Sequence, residues 1–127
     1  NASGTSSQFS PSAGSNYECV DDGQTTDDDT TYVEDDTADQ KDLYAYENLT
    51  DIIGIAGVSI MTEARETDAT DYTVKTIIST GSESDDAGQS LSSDYTIVTR
   101  LAEKDPHTAA AWTLSNLNTA QFGIKVG

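Results

Sequence analysis

In four stretches of this chain apolar residues recur at every second position, and only one short stretch has helical character. In Ile53–Arg65 one face reads Ala56, Val58, Ile60, Thr62, Ala64 and the other Ile55, Gly57, Ser59, Met61, Glu63. Tyr72–Ser79 sets Tyr72, Val74, Thr76 and Ile78 on one side, with Ile77 on the other. Tyr95–Glu103 alternates Tyr95, Ile97, Thr99, Leu101 with Thr96, Val98, Arg100, Ala102, and Ala120–Val126 carries Phe122, Ile124 and Val126 in register. Successive side chains of a strand point to opposite faces, so this period of two predicts strands. Shorter strands are expected at Asn16–Val20, Thr30–Glu34, Leu43–Tyr46 and around Leu91, separated by Asp-, Gly-, Ser- and Thr-rich turns. The exception to the pattern is Thr108–Asn118, where Thr113 is placed to N-cap a turn over Leu114–Leu117. The fold class expected is all-β: an antiparallel, jelly-roll-like β-sandwich of about seven or eight strands with one short helical turn.

At 127 residues the chain has the length of one domain, enough to bury roughly two thirds of its unfolded surface without staples. Residues 1–16 are rich in Ser, Gly and Ala and predict a flexible N-terminal arm or linker, with Phe9 available to pin part of it down as an edge strand. Residues 17–127 form the expected sandwich domain. The most apolar run, Ile52 to Met61, is about half the length of a membrane span.

Twenty-three acidic residues face six basic ones, a formal charge of −17. Such a field repels nucleic acid, whose binding depends on Lys and Arg, and repels anionic membranes. It keeps molecules soluble and apart, and it suits high salt, where the self-repulsion is screened.

The candidate chemistry is sparse. Cys19 is the lone cysteine and reads as a small buried hydrophobe. His107, the only histidine, follows Asp105-Pro106 in a loop, and no G-x-S-x-G accompanies it. Glycoside hydrolysis needs only two carboxylates at a set separation, but among 23 some pair meets any separation. Calcium is the chemical alternative. Hard oxygen donors concentrate at Asp21, Asp22, Asp27, Asp28 and Asp29, and again at Asp35, Asp36 and Asp39, without EF-hand spacing. Trp112, the single tryptophan, is expected to anchor the helical turn against a sheet.

Several segments taken in order carry a resemblance: Asn16-Tyr17-Glu18-Cys19-Val20-Asp21-Asp22, Asp28-Asp29-Thr30-Thr31-Tyr32-Val33, Lys41-Asp42-Leu43-Tyr44, Leu91-Ser92-Ser93-Asp94-Tyr95, Glu103-Lys104-Asp105-Pro106-His107-Thr108, Ala111-Trp112-Thr113 and Leu117-Asn118-Thr119-Ala120-Gln121-Phe122-Gly123. Over about residues 9–126 the chain resembles a β-rich domain of virion structural proteins of tailed bacteriophages. No one of these motifs is diagnostic alone. The resemblance implies a capsid decoration protein or head fibre on the outer surface of the virion, or a tail appendage. It implies no enzymatic activity and supplies no catalytic residues. The extra acids at Asp35, Asp36, Asp85 and Asp86 depart from the family pattern and suit a marine or halophilic host.

The expected partners are therefore the major capsid protein or other virion proteins, in a symmetric homo-oligomer for which a trimer is favoured. The arm around Phe9 and Pro11 is the expected partner-binding element, since an extended arm gains affinity by strand addition to a sheet edge. No cofactor is required, calcium being the alternative. The competing reading is a tail-fibre module that binds a host-surface glycan or receptor.

Overall fold

A computed structural model describes residues 2–23, 25–68 and 70–127. Asn1 of the expected arm, Gln24 of the acidic loop that carries Asp21–Asp29, and Ala69 between the expected strands Ile53–Arg65 and Tyr72–Ser79 lie outside the described residues. The strands are β1 (Ala2–Ser7), β2 (Ser10–Pro11), β3 (Val33–Glu34), β4 (Lys41–Ala45), β5 (Val58–Ala64), β6 (Thr73–Ser79), β7 (Glu83–Asp85), β8 (Gln89–Ser90), β9 (Thr96–Ala102) and β10 (Gln121–Val126). A 3-10 turn covers Asn16–Cys19 and a helix, α1, covers Leu114–Thr119.

The expected all-β, antiparallel architecture is what forms. The strands divide unequally. Six belong to one sheet of order β1-β4-β10-β6, with β7 and β8 both paired to β6. β5 and β9 make a separate two-stranded ribbon, and β2 pairs with β3.

Register explains the layers. Tyr44, Phe122 and Ile78 stand side by side across β4, β10 and β6, on the face that packs toward the ribbon. There Ile78, Trp112 and Ala120 form the buried core, with Ile55, Val58, Ile60, Ala102, Leu117 and Phe122 against it. Trp112 anchors α1 as expected, and its indole N–H donates to the Ala102 carbonyl at 2.9 Å. The helix is capped as the sequence predicts, Thr113 Oγ1 accepting from Asn116 N–H at 3.1 Å. On the opposite face Leu43, Gly123 and Ile77 align, and both side chains are fully buried. A Cβ at position 123 would collide with the Asp42 carbonyl, so glycine lets β4 and β10 approach. Lys41 on β4 pairs with Glu83 on β7, three strand positions away, about 14 Å in a flat sheet. That ion pair requires the sheet to curl over Leu43 and Ile77.

Where composition suggests a flexible arm, residues 2–7 are an edge strand paired to β4. Residues around Phe9 and Pro11 are likewise tied down, because Pro11 pairs with Val33 and Phe9 N–H donates to Asp42 at 2.9 Å. The physical reason is Asp42. Its carboxylate is fully buried and accepts from Gln8 N–H (2.6 Å), Phe9 N–H, Asn16 Nδ2 (2.6 Å) and the Tyr44 hydroxyl (2.9 Å). The folded body therefore includes residues on both sides of the expected boundary at 16/17. The same contacts turn Asn16–Cys19 into a 3-10 turn rather than the expected strand: Asn16 is drawn inward, and Glu18 accepts from Ser15 N–H at 2.8 Å. Glu83–Asp85, which falls between the expected strands Tyr72–Ser79 and Leu91, is strand β7 because it lies along β6 and meets Arg100 from the ribbon.

Candidate interaction surfaces

The ribbon has an inner and an outer face. Inward go Val58, Ile60 and Thr62 of β5 and Val98, Arg100 and Ala102 of β9. Arg100 Nη1 donates to the carbonyls of Thr76 (2.6 Å) and Ser84, and Nη2 to Ser84 Oγ at 2.9 Å, which seats β9 over β6 and β7. Outward go Met61, Ile97 and Leu101, respectively 73%, 60% and 65% exposed. The registers Met61↔Thr99, Glu63↔Ile97 and Ser59↔Leu101 put them on one continuous surface. Three large apolar side chains thus share an exposed ribbon face.

A groove of about 300 Å³ lies beside this face, lined by Tyr46, Leu49, Val58, Met61, Leu117 and Phe122 among others. Tyr46 meets Phe122 edge to face, centroids 5.9 Å apart, and partial desolvation of its half-exposed ring raises its phenol pKa. A larger cleft of about 930 Å³ opens on the other side of β5. Its floor is the core face of β4 and β10, represented by Tyr44, Phe122 and Ile124. Its walls are residues 60–68 and the acidic loop running into β3.

The acidic loop closes one end of that cleft. Arg65 Nη2 lies 2.6 Å from Asp29 Oδ1, the Tyr95 hydroxyl donates to the same oxygen at 2.8 Å, and the guanidinium stacks 4.9 Å from the Tyr95 ring centroid. Desolvation opposes the Arg65 charge, yet Asp29 and Tyr95 hold its pKa above the ordinary value. Desolvation and the Asp29 contact also raise the Tyr95 phenol.

Of the other expected calcium donors, Asp22, Asp27 and Asp28 make local contacts. Asp22 accepts from Asp27 N–H at 3.1 Å, Asp27 accepts from Thr31 N–H and hydroxyl at 3.1 Å, and Asp28 accepts from the Thr26 hydroxyl at 3.1 Å. Among the described residues no three acidic, histidine or cysteine side chains converge as a metal ligand set.

His107 Nδ1 lies 2.7 Å from Ser82 Oγ, the hydroxyl–imidazole pairing found among the described residues. No carboxylate bonds the imidazole among the described residues. Asp105, fully buried, accepts instead from Thr80 Oγ1 (2.6 Å), the His107 backbone N–H (2.9 Å) and Asn116 Nδ2 (2.9 Å). Neither cavity described above is lined by Ser82 or His107. Cys19 is buried, its thiol donating to the Ala13 carbonyl at 2.8 Å.

Residue patterning leaves Asp42, Asp105 and the outward apolar triplet unassigned. Each has a sequence signal: an Asp directly before a strand run, an Asp before proline, and apolar residues on the faces of β5 and β9 opposite Ile60 and Val98. The chain matches no family model, no curated protein and no solved structure.

Proposed function

We propose that this chain is a non-enzymatic structural protein of a tailed virus particle, a decoration or head-fibre protein on the capsid exterior. The observation that carries the reading is the outward face of the β5–β9 ribbon, where Met61, Ile97 and Leu101 stand exposed on a protein of charge −17. Charge keeps such molecules apart in solution, while an apolar face gives them one surface that gains by being covered. The ribbon face docks on the major capsid protein or a neighbouring subunit, and repetition around the particle gives a symmetric oligomer, a trimer being favoured. The mechanism is mechanical, since buried area at capsomer junctions resists internal pressure. The assignment to a virus particle draws on the sequence resemblance.

Antibody-gold labelling of intact particles tests it: label spread over the head is expected, and label confined to the tail overturns the decoration reading. The tail-fibre alternative draws support from Tyr32 and Tyr46, both exposed and both lining the acidic cleft. It predicts binding in a glycan screen.

A further inference from the structure

The two-stranded ribbon leaves half of its partner sheet without a cover strand. β9 is held over β6 and β7 by Arg100, so β5 is the ribbon's other edge, and β9 is its only strand partner among the described residues. Every residue from Ile60 to Asp68 lines the cleft. Alternate residues of a strand face opposite ways, so the unbroken run of lining residues within β5, Ile60 to Ala64, means that the strand meets the cleft with its edge, the side away from β9. Beneath this edge the floor is apolar and aromatic: Tyr44, Phe122 and Ile124. Across the gap stands Val33–Glu34, whose strand pairs, among the described residues, only with β2. The cleft thus has the outline of a missing strand, with a hydrogen-bonding edge at its side and a hydrophobic floor below.

Charge selects the occupant. Among the lining residues carboxylates outnumber cations nine to two, Glu34, Asp36 and Glu63 among them, with Glu66, whose Oε2 is buried without a hydrogen-bond partner among the described residues. Both cations are already engaged, Arg65 by Asp29 and Lys125 by Asp39 (3.1 Å) and Asp85 (3.0 Å). A second copy of this chain, also at −17, would meet its own repulsion there. We propose that the cleft accepts an extended, lysine- or arginine-bearing segment of a partner protein, added as a strand to the free edge of β5. Its apolar side chains rest on Tyr44 and Phe122, and its alternate basic side chains meet the lining carboxylates. This site adjoins the outer ribbon face, sharing Met61 and Glu63 with it, and does not depend on the chain's place in a particle.

The test uses the full chain and three synthetic seven-residue peptides: Lys and Val alternating, Glu and Val alternating, and the lysine peptide with its central valine replaced by proline. Binding is read by fluorescence anisotropy, and its location by amide exchange. The lysine peptide is expected to bind and to slow exchange in β5, and raising salt is expected to weaken it. The proline and glutamate peptides are expected to bind at least about tenfold more weakly. The E63K/E66K variant, with its melting curve as the control for folding, is expected to lose about tenfold. If that variant fails to fold, the peptide comparison and the exchange map on the wild-type chain decide. Absence of lysine-peptide binding, equal binding by the glutamate peptide, or binding without protection of β5 would overturn the proposal.

Discussion

Asp42 and Asn16 meet in the interior, Asn16 Nδ2 donating to Asp42 Oδ2 at 2.6 Å, and that contact joins the N-terminal segment to the central sheet. The other oxygen of Asp42 takes the N–H groups of Gln8 and Phe9. A fully buried carboxylate is costly unless it is satisfied, and here four donors satisfy it. Desolvation and the adjacent Asp42 push the Tyr44 phenol pKa far upward.

Replacing Asp42 by alanine strands those donors together. The expected loss is about 3 kcal/mol or more, since each orphaned buried group costs roughly 1–3 kcal/mol. Urea unfolding measures it. Amide exchange should show residues 3–9 released before the rest of the sheet. Unchanged protection of that segment would show that strand pairing alone holds it.

Asp105 predicts an acid dependence. Burial works to raise its pKa, but donors from Thr80, the His107 backbone, Thr108 and Asn116 outweigh it and hold the carboxyl below its ordinary value of 3.8. A group with a lowered folded pKa gives stability that is present above its unfolded value and lost as pH falls through the folded one. Asp105→Asn should therefore be less stable than wild type at pH 7, with the gap narrowing below about pH 4. Urea midpoints at pH 7 and pH 3 check this, and a constant gap would contradict it.

Trp112 carries the core. Trp112→Phe removes the donor to the Ala102 carbonyl and part of the packing around Ile78, an expected loss of about 1–3 kcal/mol by circular dichroism. Trp112→Ala should cost about 3–5 kcal/mol. As the only tryptophan, Trp112 also reports wild-type unfolding by fluorescence.

The strands legible in the sequence are those whose own side chains alternate, β5, β6, β9 and β10, together with the shorter β3 and β4. The Thr113 cap is equally local. β1 has no apolar pattern to read, because its place is set by distant groups: Asp42 below it and Gln121 Oε1, which accepts from Thr5 N–H (2.8 Å) and hydroxyl (2.9 Å). β7 is similar, since Glu83 and Asp85 serve as partners for Lys41 and Lys125. Asp42 and Asp105 look like turn-formers in sequence, and only tertiary donors make them interior anchors. The patch of Met61, Ile97 and Leu101 was half legible: alternation places Met61 opposite Val58 and Ile60, but it cannot say which face of β9 the sheet covers. Arg100, bonded to backbone carbonyls of β6 and β7, settles that choice.

The most direct measurement is co-sedimentation of the purified chain with virus particles stripped of it, comparing wild type with the M61K/L101K variant. Both positions are exposed, so the variant should keep its melting temperature within a few degrees, as surface substitutions change stability by about 0.5 kcal/mol or less. The account predicts that the wild-type chain pellets with particles and the folded variant stays in solution. Equal pelleting of the two, or failure of the wild-type chain to bind, would contradict docking through the ribbon face.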